Sequence, residues 1–227
     1  MTHLVALLPM KGHSERVPNK NLREFNGRPL CHWVLNTLRA TPEVDEVVVD
    51  TDTVEIAEEA RAFDATVLDR PEELRGDRVS MNDIIRHDVA HSEADVYLQT
   101  HCTNPLLRPE TVSEAVEAFG ERDCDSLFSV TPLQTRLWDA DCTPINHERD
   151  ELKRTQDLEP VYEENSNVYL FTEESLARRE NRIGEDPAMF AMDALEAIDI
   201  DELVDFRIAE MLHRDRHGEE PGLQEVV

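Results

Sequence analysis

Two of the chain's three lysines, Lys11 and Lys20, stand in one loop with Gly12, Ser14, Arg16 and Asn21. Cations, a hydroxyl and an amide gathered around a glycine suit phosphate, which needs charge and close backbone approach. The residues on either side support that reading. Leu4-Val5-Ala6-Leu7-Leu8 is an apolar run of strand length. Pro9 ends it, because proline cannot donate to a continuing ladder, and Met10 opens the loop. Downstream, Leu30, Val34 and Leu38 recur at helical spacing. Strand, basic loop, helix places cations and backbone N–H groups at the carboxyl end of a strand, where open α/β sheets bind phosphates. A second group lies near the other end, where Asp199 and Asp201 alternate with Ile198 and Ile200. On a strand both carboxylates share a face, and two carboxylates plus substrate phosphates suit Mg²⁺. Asp50-Thr51-Asp52 and Asp139-Ala140-Asp141 repeat the spacing, so pattern alone does not choose among them. His13 reads as a hydrogen-bonding neighbour of the loop. The adjacent His101 and Cys102 read as a polar loop, not a metal pair.

The elements that must hold these groups alternate. Strands are expected at Glu46–Asp50, Ala65–Leu68, Asp95–Gln99 and Ser126–Val130. Helices are expected between them, with Thr53 capping one, Ser80 opening another and Pro109 starting a third. This rhythm predicts an α/β fold with a mostly parallel, Rossmann-like sheet and helices on both faces. It breaks near Pro132. Residues 133–160 read as an excursion, a flap or a dimer arm, within one domain spanning 1–227. Order resumes with a strand at Asn167–Phe171, a helix at Glu173–Arg179, a strand at Ala197–Asp201 and a helix carrying Leu203, Phe206, Ile208 and Leu212. Residues 213–227 read as a polar, frayed tail.

Composition narrows the partners. Lys and Arg total 23 against 50 Asp and Glu, a net charge of −27 and a pI near 4.5. So acidic a surface, so poor in lysine, reads as adapted to high salt. It lacks the basic stripe that nucleic acid requires. No apolar run reaches membrane-spanning length and no secretory leader opens the chain, so a soluble cytoplasmic protein is expected. Cys31, Cys102, Cys124 and Cys142 show no metal spacing and read as reduced thiols.

Taken in order, the motifs resemble the acylneuraminate (nonulosonate) cytidylyltransferases. The matching set begins with Pro9, Lys11, Ser14, Pro18, Lys20 and Asn21, then Gly27-Arg28-Pro29-Leu30 opening the first helix. It continues through Val49-Asp50-Thr51-Asp52, Arg70-Pro71-Glu72-Glu73-Leu74 with Asp77 and Ser80, and Leu98-Gln99 with Asn104-Pro105-Leu106. Asn165 with Val168-Tyr169, and Ile198-Asp199-Ile200-Asp201, complete it. The resemblance implies a nucleotide-diphospho-sugar transferase fold, usually dimeric. In the implied reaction a sugar hydroxyl attacks the α-phosphorus of CTP, with Mg²⁺ present and pyrophosphate leaving. It implies catalytic roles for Lys11 and Lys20. Leu8, Pro9, Met10, Gly12, Ser14, Arg16, Asn21, Arg70 and Ser80 would surround the nucleotide. Gln99, His101, Arg154, Gln156, Tyr162 and Asn165 would surround an acidic sugar, and Asp199 and Asp201 would take the metal.

The chain departs from that pattern in places. Lysine stands at position 11 where the family usually has arginine, keeping the charge but losing the bidentate fork. Glu15-Arg16 replaces a lysine-glycine pair. The longer loop Gln99–Leu106 lets either Gln99 or His101 take the place of the family's glutamine. Glu164 precedes Asn165 where an arginine is common, which puts sialic acid itself in doubt and leaves Lys153 or Arg154 to supply a cation. Two other functions stay open: a glycosyltransferase using Asp50-Thr51-Asp52, and a nucleotide-binding protein without turnover.

Overall fold

The computed structural model describes residues 2–151 and 153–217. Its main sheet has seven strands in the order β5-β4-β1-β6-β8-β7-β9. These are β1 (Leu4–Leu7), β4 (Glu46–Thr51), β5 (Thr66–Asp69), β6 (Val96–Gln99), β7 (Ser126–Leu133), β8 (Val161–Phe171) and β9 (Pro187–Ala191). The first four pair in parallel, β8 runs antiparallel to both neighbours, and β9 pairs in parallel with β7. Period-2 alternation sorts the side chains into two cores. Leu4, Ala6 and Leu8 pack with Val34 and Leu38 of α1 (Cys31–Ala40), Ile56 of α2 (Val54–Ala62) and Val112 of α4 (Pro109–Glu121). Val5 and Leu7 pack on the other face with Ile85 and Val89 of α3 (Met81–Ala90) and Leu176 of α5 (Glu173–Arg179). Burial on both faces explains why these strands read as continuous apolar runs. Strand β1 lies between β4 and β6, with the chain's crossovers departing to either side. That is the switch point where open α/β sheets form a crevice beyond their carboxyl ends.

The structure corrects the sequence reading in four places. Gly27-Arg28-Pro29-Leu30 does not open a helix: β2 (Glu24–Phe25) and β3 (Arg28–Pro29) form a hairpin, and α1 starts at Cys31. Its turn residues Asn26 and Gly27 both have positive φ, 46° and 83°, as a two-residue type I′ turn requires. Residues 197–201 join no ladder, although Ile200 N donates to the Thr103 carbonyl at 2.9 Å. Strand β9 was not anticipated. Residues 213–217 end helix α6 (Leu203–His217) instead of fraying, and His213 is buried against Phe25 and Trp33. Residues 218–227 lie outside the described residues.

Phe25, Leu30, Ile200 and Phe206 form a third apolar cluster that ties the hairpin, residues 197–201 and α6 together. Between β7 and β8 the described residues form a 3-10 turn, Thr155–Asp157, and an isolated bridge between Trp138 and Pro144. No helix among the described residues is long and apolar enough to cross a membrane.

Candidate functional site

Three clefts adjoin at the carboxyl end of β1. The central one, about 350 Å³, is lined by Pro9, Lys11, Lys20, Arg70, His101 and Asp199 among others. Lys11, Lys20, Asn21 and Asp77 are shared with a smaller hollow of about 250 Å³ that His13, Ser14 and Arg16 complete. Ser166, Asp199 and Asp201 are shared with a third cleft of about 480 Å³, lined also by Thr131, Glu163, Glu164 and Asn165. Groups on two molecules held in neighbouring clefts would meet at this shared wall.

The basic loop is folded by its own polar groups. Asn21 Nδ2 donates to the Lys11 carbonyl at 2.8 Å, and Cys102 Sγ donates to Asn21 Oδ1 at 2.9 Å. Gly12 N donates to Asp52 Oδ1 at 2.7 Å. The cations sit against acids: Lys11 on Asp77 at 2.5 Å and Arg16 on Asp201 at 2.6 Å. Exposed pairs of this kind are worth about 0–1 kcal/mol, so an arriving phosphate displaces them cheaply. Lys20 differs. Its side chain is only 15% exposed and Nζ donates to the Ile200 carbonyl at 2.6 Å, so this cation is fixed.

Gly12 is required by close approach. A Cβ there would lie 2.0 Å from Cγ2 of Thr53, a β-branched side chain with little freedom to move. Gly12→Ala is therefore expected to cost about 1–3 kcal/mol by overpacking. Adding Thr53→Ser, which removes that methyl group, should restore most of the loss. Urea melts of the two variants decide it, and an undiminished Gly12→Ala midpoint sinks the argument.

Asp199 and Asp201 line both larger clefts while Ile200 is buried in the third cluster and Ile198 packs on it. The carboxylates thus face the clefts and Ile200 the core without a ladder, although Ile198 also touches the third cleft. Burial, with Asp201 nearby, raises the Asp199 pKa above the usual carboxylate range. Its Oδ1 is buried with no hydrogen-bond partner among the described residues. An orphaned buried oxygen beside a second carboxylate, both residues on the wall shared by the two larger clefts, fits a hard divalent cation such as Mg²⁺.

Gln99 and His101 divide the place the sequence left open between them. Gln99 is fully buried beneath the site, and only His101 lines the central cleft. Arg182 Nη1, a donor, bonds Gln99 Oε1 at 2.5 Å, so Gln99 Nε2 faces Thr100 O and His101 Nε2. An amide nitrogen only donates, so His101 Nε2 accepts and its proton sits on Nδ1. Burial and the Arg182 and Lys20 cations push the His101 pKa down to about 3, consistent with a neutral ring.

Other predicted residues are spread more widely. Leu8 and Met10 are buried, bonded through their backbones to the Val48 and Asp50 carbonyls. Ser80 caps α3 by accepting from Asn82 N at 3.2 Å. Arg70 is buried against Asp50 yet reaches the central cleft. Asn165 bridges Ser129 and Thr131 where the β7–β8 register shifts. Arg154, paired with Asp157, and Gln156 and Tyr162 line none of the three clefts. Asp50 and Asp52 are committed to Arg70 and to Gly12 N. Sequence reasoning missed Arg182, over the Tyr169 ring at 3.7 Å, and Ser166, whose φ of 55° turns it toward both clefts. The polar run Glu163–Asn167, directly before the apolar Val168–Phe171, was the available signal for Ser166. Nothing local marked Arg182.

The profile of the family described as cytidylyltransferase matches residues 5–218. N-acylneuraminate cytidylyltransferase A of Danio rerio is 32% identical over 216 residues, covering 92% of this chain and 50% of that protein. CMP-N,N'-diacetyllegionaminic acid synthase of Legionella pneumophila is 28% identical over 226 residues, covering 92% and 95%. Pseudaminic acid cytidylyltransferase of Campylobacter jejuni is 25% identical over 225 residues, covering 94% and 97%. The chain thus spans about half the length of the fish relative and nearly all of the bacterial ones. Among solved structures, a 4-diphosphocytidyl-2C-methyl-D-erythritol synthase matches at TM-score 0.70 and 18% identity, covering 94% of this chain and 99% of that one. A CMP:2-keto-3-deoxy-manno-octonic acid synthetase complexed with CTP matches at 0.69 and 15%, covering 95% and 100%. At those identities the likeness establishes the nucleotide-diphospho-sugar transferase type of α/β fold. With the profile spanning nearly the whole chain, the protein belongs to the cytidylyltransferase family.

Proposed function

We propose that the protein joins CTP to a nonulosonic acid, releasing pyrophosphate and forming a CMP-sugar. The observation that carries this reading is the shared wall of Ser166, Asp199 and Asp201 between the central cleft and the third cleft. A nucleotide in the central cleft, its polyphosphate in the basic hollow, has its α-phosphorus within reach of a hydroxyl in the third cleft. The hydroxyl oxygen forms the new bond to that phosphorus and gives up its proton to solvent. The bond to the bridging oxygen breaks, and its electron pair leaves with pyrophosphate. Such a reaction asks for positioning and positive charge more than for a covalent group. Lys20 and Lys11 meet the growing negative charge, Arg16 and Ser14 orient the phosphates, and Arg70 holds the cytidine side. Asp199 and Asp201 would hold Mg²⁺, which supplies charge neutralisation at the phosphates.

The acidic composition favours a cytoplasm of high salt, and residues 133–160 are the candidate arm of a homodimer. Arg154, Gln156 and Tyr162, on or beside that arm, would serve the sugar only through such an assembly. The glycosyltransferase reading is weakened by the commitment of Asp50 and Asp52 to their internal partners.

The test is pyrophosphate release with CTP, Mg²⁺ and a panel of nonulosonic acids in molar salt. Release that requires one of the sugars supports the reaction class and names the substrate. A folded protein that binds CTP yet releases none with any sugar overturns it.

A further inference from the structure

Asp50 of β4 and Asp88 of α3 are both fully buried, each with one carboxylate oxygen that has no hydrogen-bond partner among the described residues. With His87 they form a cluster whose facing atoms all lie within 4.8 Å of one another. Asp50 Oδ1 accepts from Arg70 Nε, and His87 Nδ1 lies 3.2 Å from Asp88 Oδ1 and 3.7 Å from Asp50 Oδ2. One buried guanidinium, in contact with Asp50 and within electrostatic reach of Asp88, thus stands against two carboxylates. Both ionised, they would leave an uncompensated charge in the interior and two orphaned oxygens, at high cost. One proton between them removes both problems.

We propose that Asp88 is a positioning residue for the nucleotide: one proton held between its carboxyl group and that of Asp50 leaves Arg70 a single negative partner and presents it to the central cleft. The proposal rests on the reading of that cleft as the nucleotide site. Losing the proton places a second negative charge behind Arg70. The guanidinium is then drawn inward and an anionic nucleotide is repelled, so CTP binds less well.

Burial is the main force holding a proton there, against the pull of Arg70. Burial first, then Asp50, raises the Asp88 pKa to about 8, with Arg70 opposing. Asp50 is raised by burial and lowered by Arg70 and His87. His87 is pushed down by burial, by His91, whose ring lies 4.3 Å away, and by Arg70, while Asp50 and Glu73 act upward. The folded state keeps the proton up to about pH 8, whereas an unfolded aspartic acid loses it near pH 4. The group's contribution to stability is therefore full at low pH and falls as pH rises toward 8.

The experiment is calorimetric CTP binding between pH 7 and 9.5 for the wild type and Asp88→Asn, whose amide imitates the protonated acid. The wild-type Kd should weaken about tenfold, the loss of one charge-assisted hydrogen bond. Asp88→Asn should hold its neutral-pH affinity throughout, and its Tm should gain on the wild type as pH rises. A wild-type Kd flat across the range, or a variant that weakens alike, overturns the proposal. Should the variant not fold, infrared spectra of the wild type read the proton directly. A protonated-carboxyl band that disappears between pH 7 and 9.5 supports it, and its absence at pH 7 overturns it. A stoichiometric divalent metal in the purified protein, lost in Asp88→Asn, would put a cation where we place the proton. CTP that binds with the expected pH dependence but never releases pyrophosphate removes the proposed activity and leaves the shared proton standing. Turnover with pH-independent binding does the reverse.

Discussion

Lys20→Ala is expected to lower CTP-dependent turnover by about 10²–10³-fold, the usual effect of removing one preorganised group from a developing charge. The fall should lie in kcat. Lys20 is mostly buried and held at 2.6 Å by the Ile200 carbonyl, so its cation is already in place when charge builds on the leaving pyrophosphate. A group that needs no reorganisation stabilises the transition state more than the ground state. Lys11→Ala should cost less and fall mainly on KM. Lys11 is substantially exposed and rests on Asp77, so its binding contribution is reduced by the pair it must first leave. Steady-state kinetics of both variants, with circular dichroism to show folding, separate the two roles. If Lys20→Ala raised KM and left kcat untouched, the residue would hold substrate and transition state equally, and the catalytic assignment would be lost.

What the sequence disclosed depended on whether the cause was local. Leu4–Leu7 was legible because a strand buried on both faces must be apolar throughout, and its residues do feed opposite cores. The basic loop was legible because its chemistry lies within a dozen consecutive residues. The Asn26–Gly27 turn was also visible, as a dipeptide able to take positive φ twice, but its two-residue strands are too short for any period to show. Residues 197–201 misled for the opposite reason. Alternation reports which side chains are buried, not whether the backbone has a partner strand. Here its one backbone bond to the loop after β6 runs from Ile200 to Thr103, with no strand beside it. Strand β9 escaped notice because it is five residues long, opens on a proline and contains no β-branched residue, although every residue in it is apolar.

The site was less readable than the fold. Arg182 reaches Gln99 across 83 positions of sequence, and no local pattern marks that meeting. Ser166 owes its place to the register shift between β7 and β8, where Val168 N bonds Ser129 Oγ instead of a ladder carbonyl. The polar end of α6 failed as a tail prediction because His213 finds Phe25 and Trp33, partners near the other end of the chain.

Asp199→Asn should destroy activity while stabilising the fold, and the two effects share one cause. The Asp199 carboxyl is buried, its pKa raised by that burial, and Oδ1 finds no partner among the described residues. A protein selected only for stability would not keep a charge there. Asparagine has nearly the same shape and carries no charge, so it removes the repulsion from Asp201 and Asp205. A gain of about 0.5–2 kcal/mol in urea denaturation is expected, the usual return on relieving a strained functional position. Without magnesium's second carboxylate, turnover should fall by several kcal/mol of lost charge stabilisation, about 10²–10³-fold, and need far more Mg²⁺ to saturate. Asp201→Asn should also lower activity, but without that gain in stability, because Asp201 is half-exposed and paired with Arg16. Titrating Mg²⁺ against turnover in both variants, beside their melts, is the measurement. An Asp199→Asn enzyme with unchanged Mg²⁺ dependence would remove Asp199 from the metal site. An equally active but destabilised one would make its buried carboxylate a structural group whose partner lies outside the clefts.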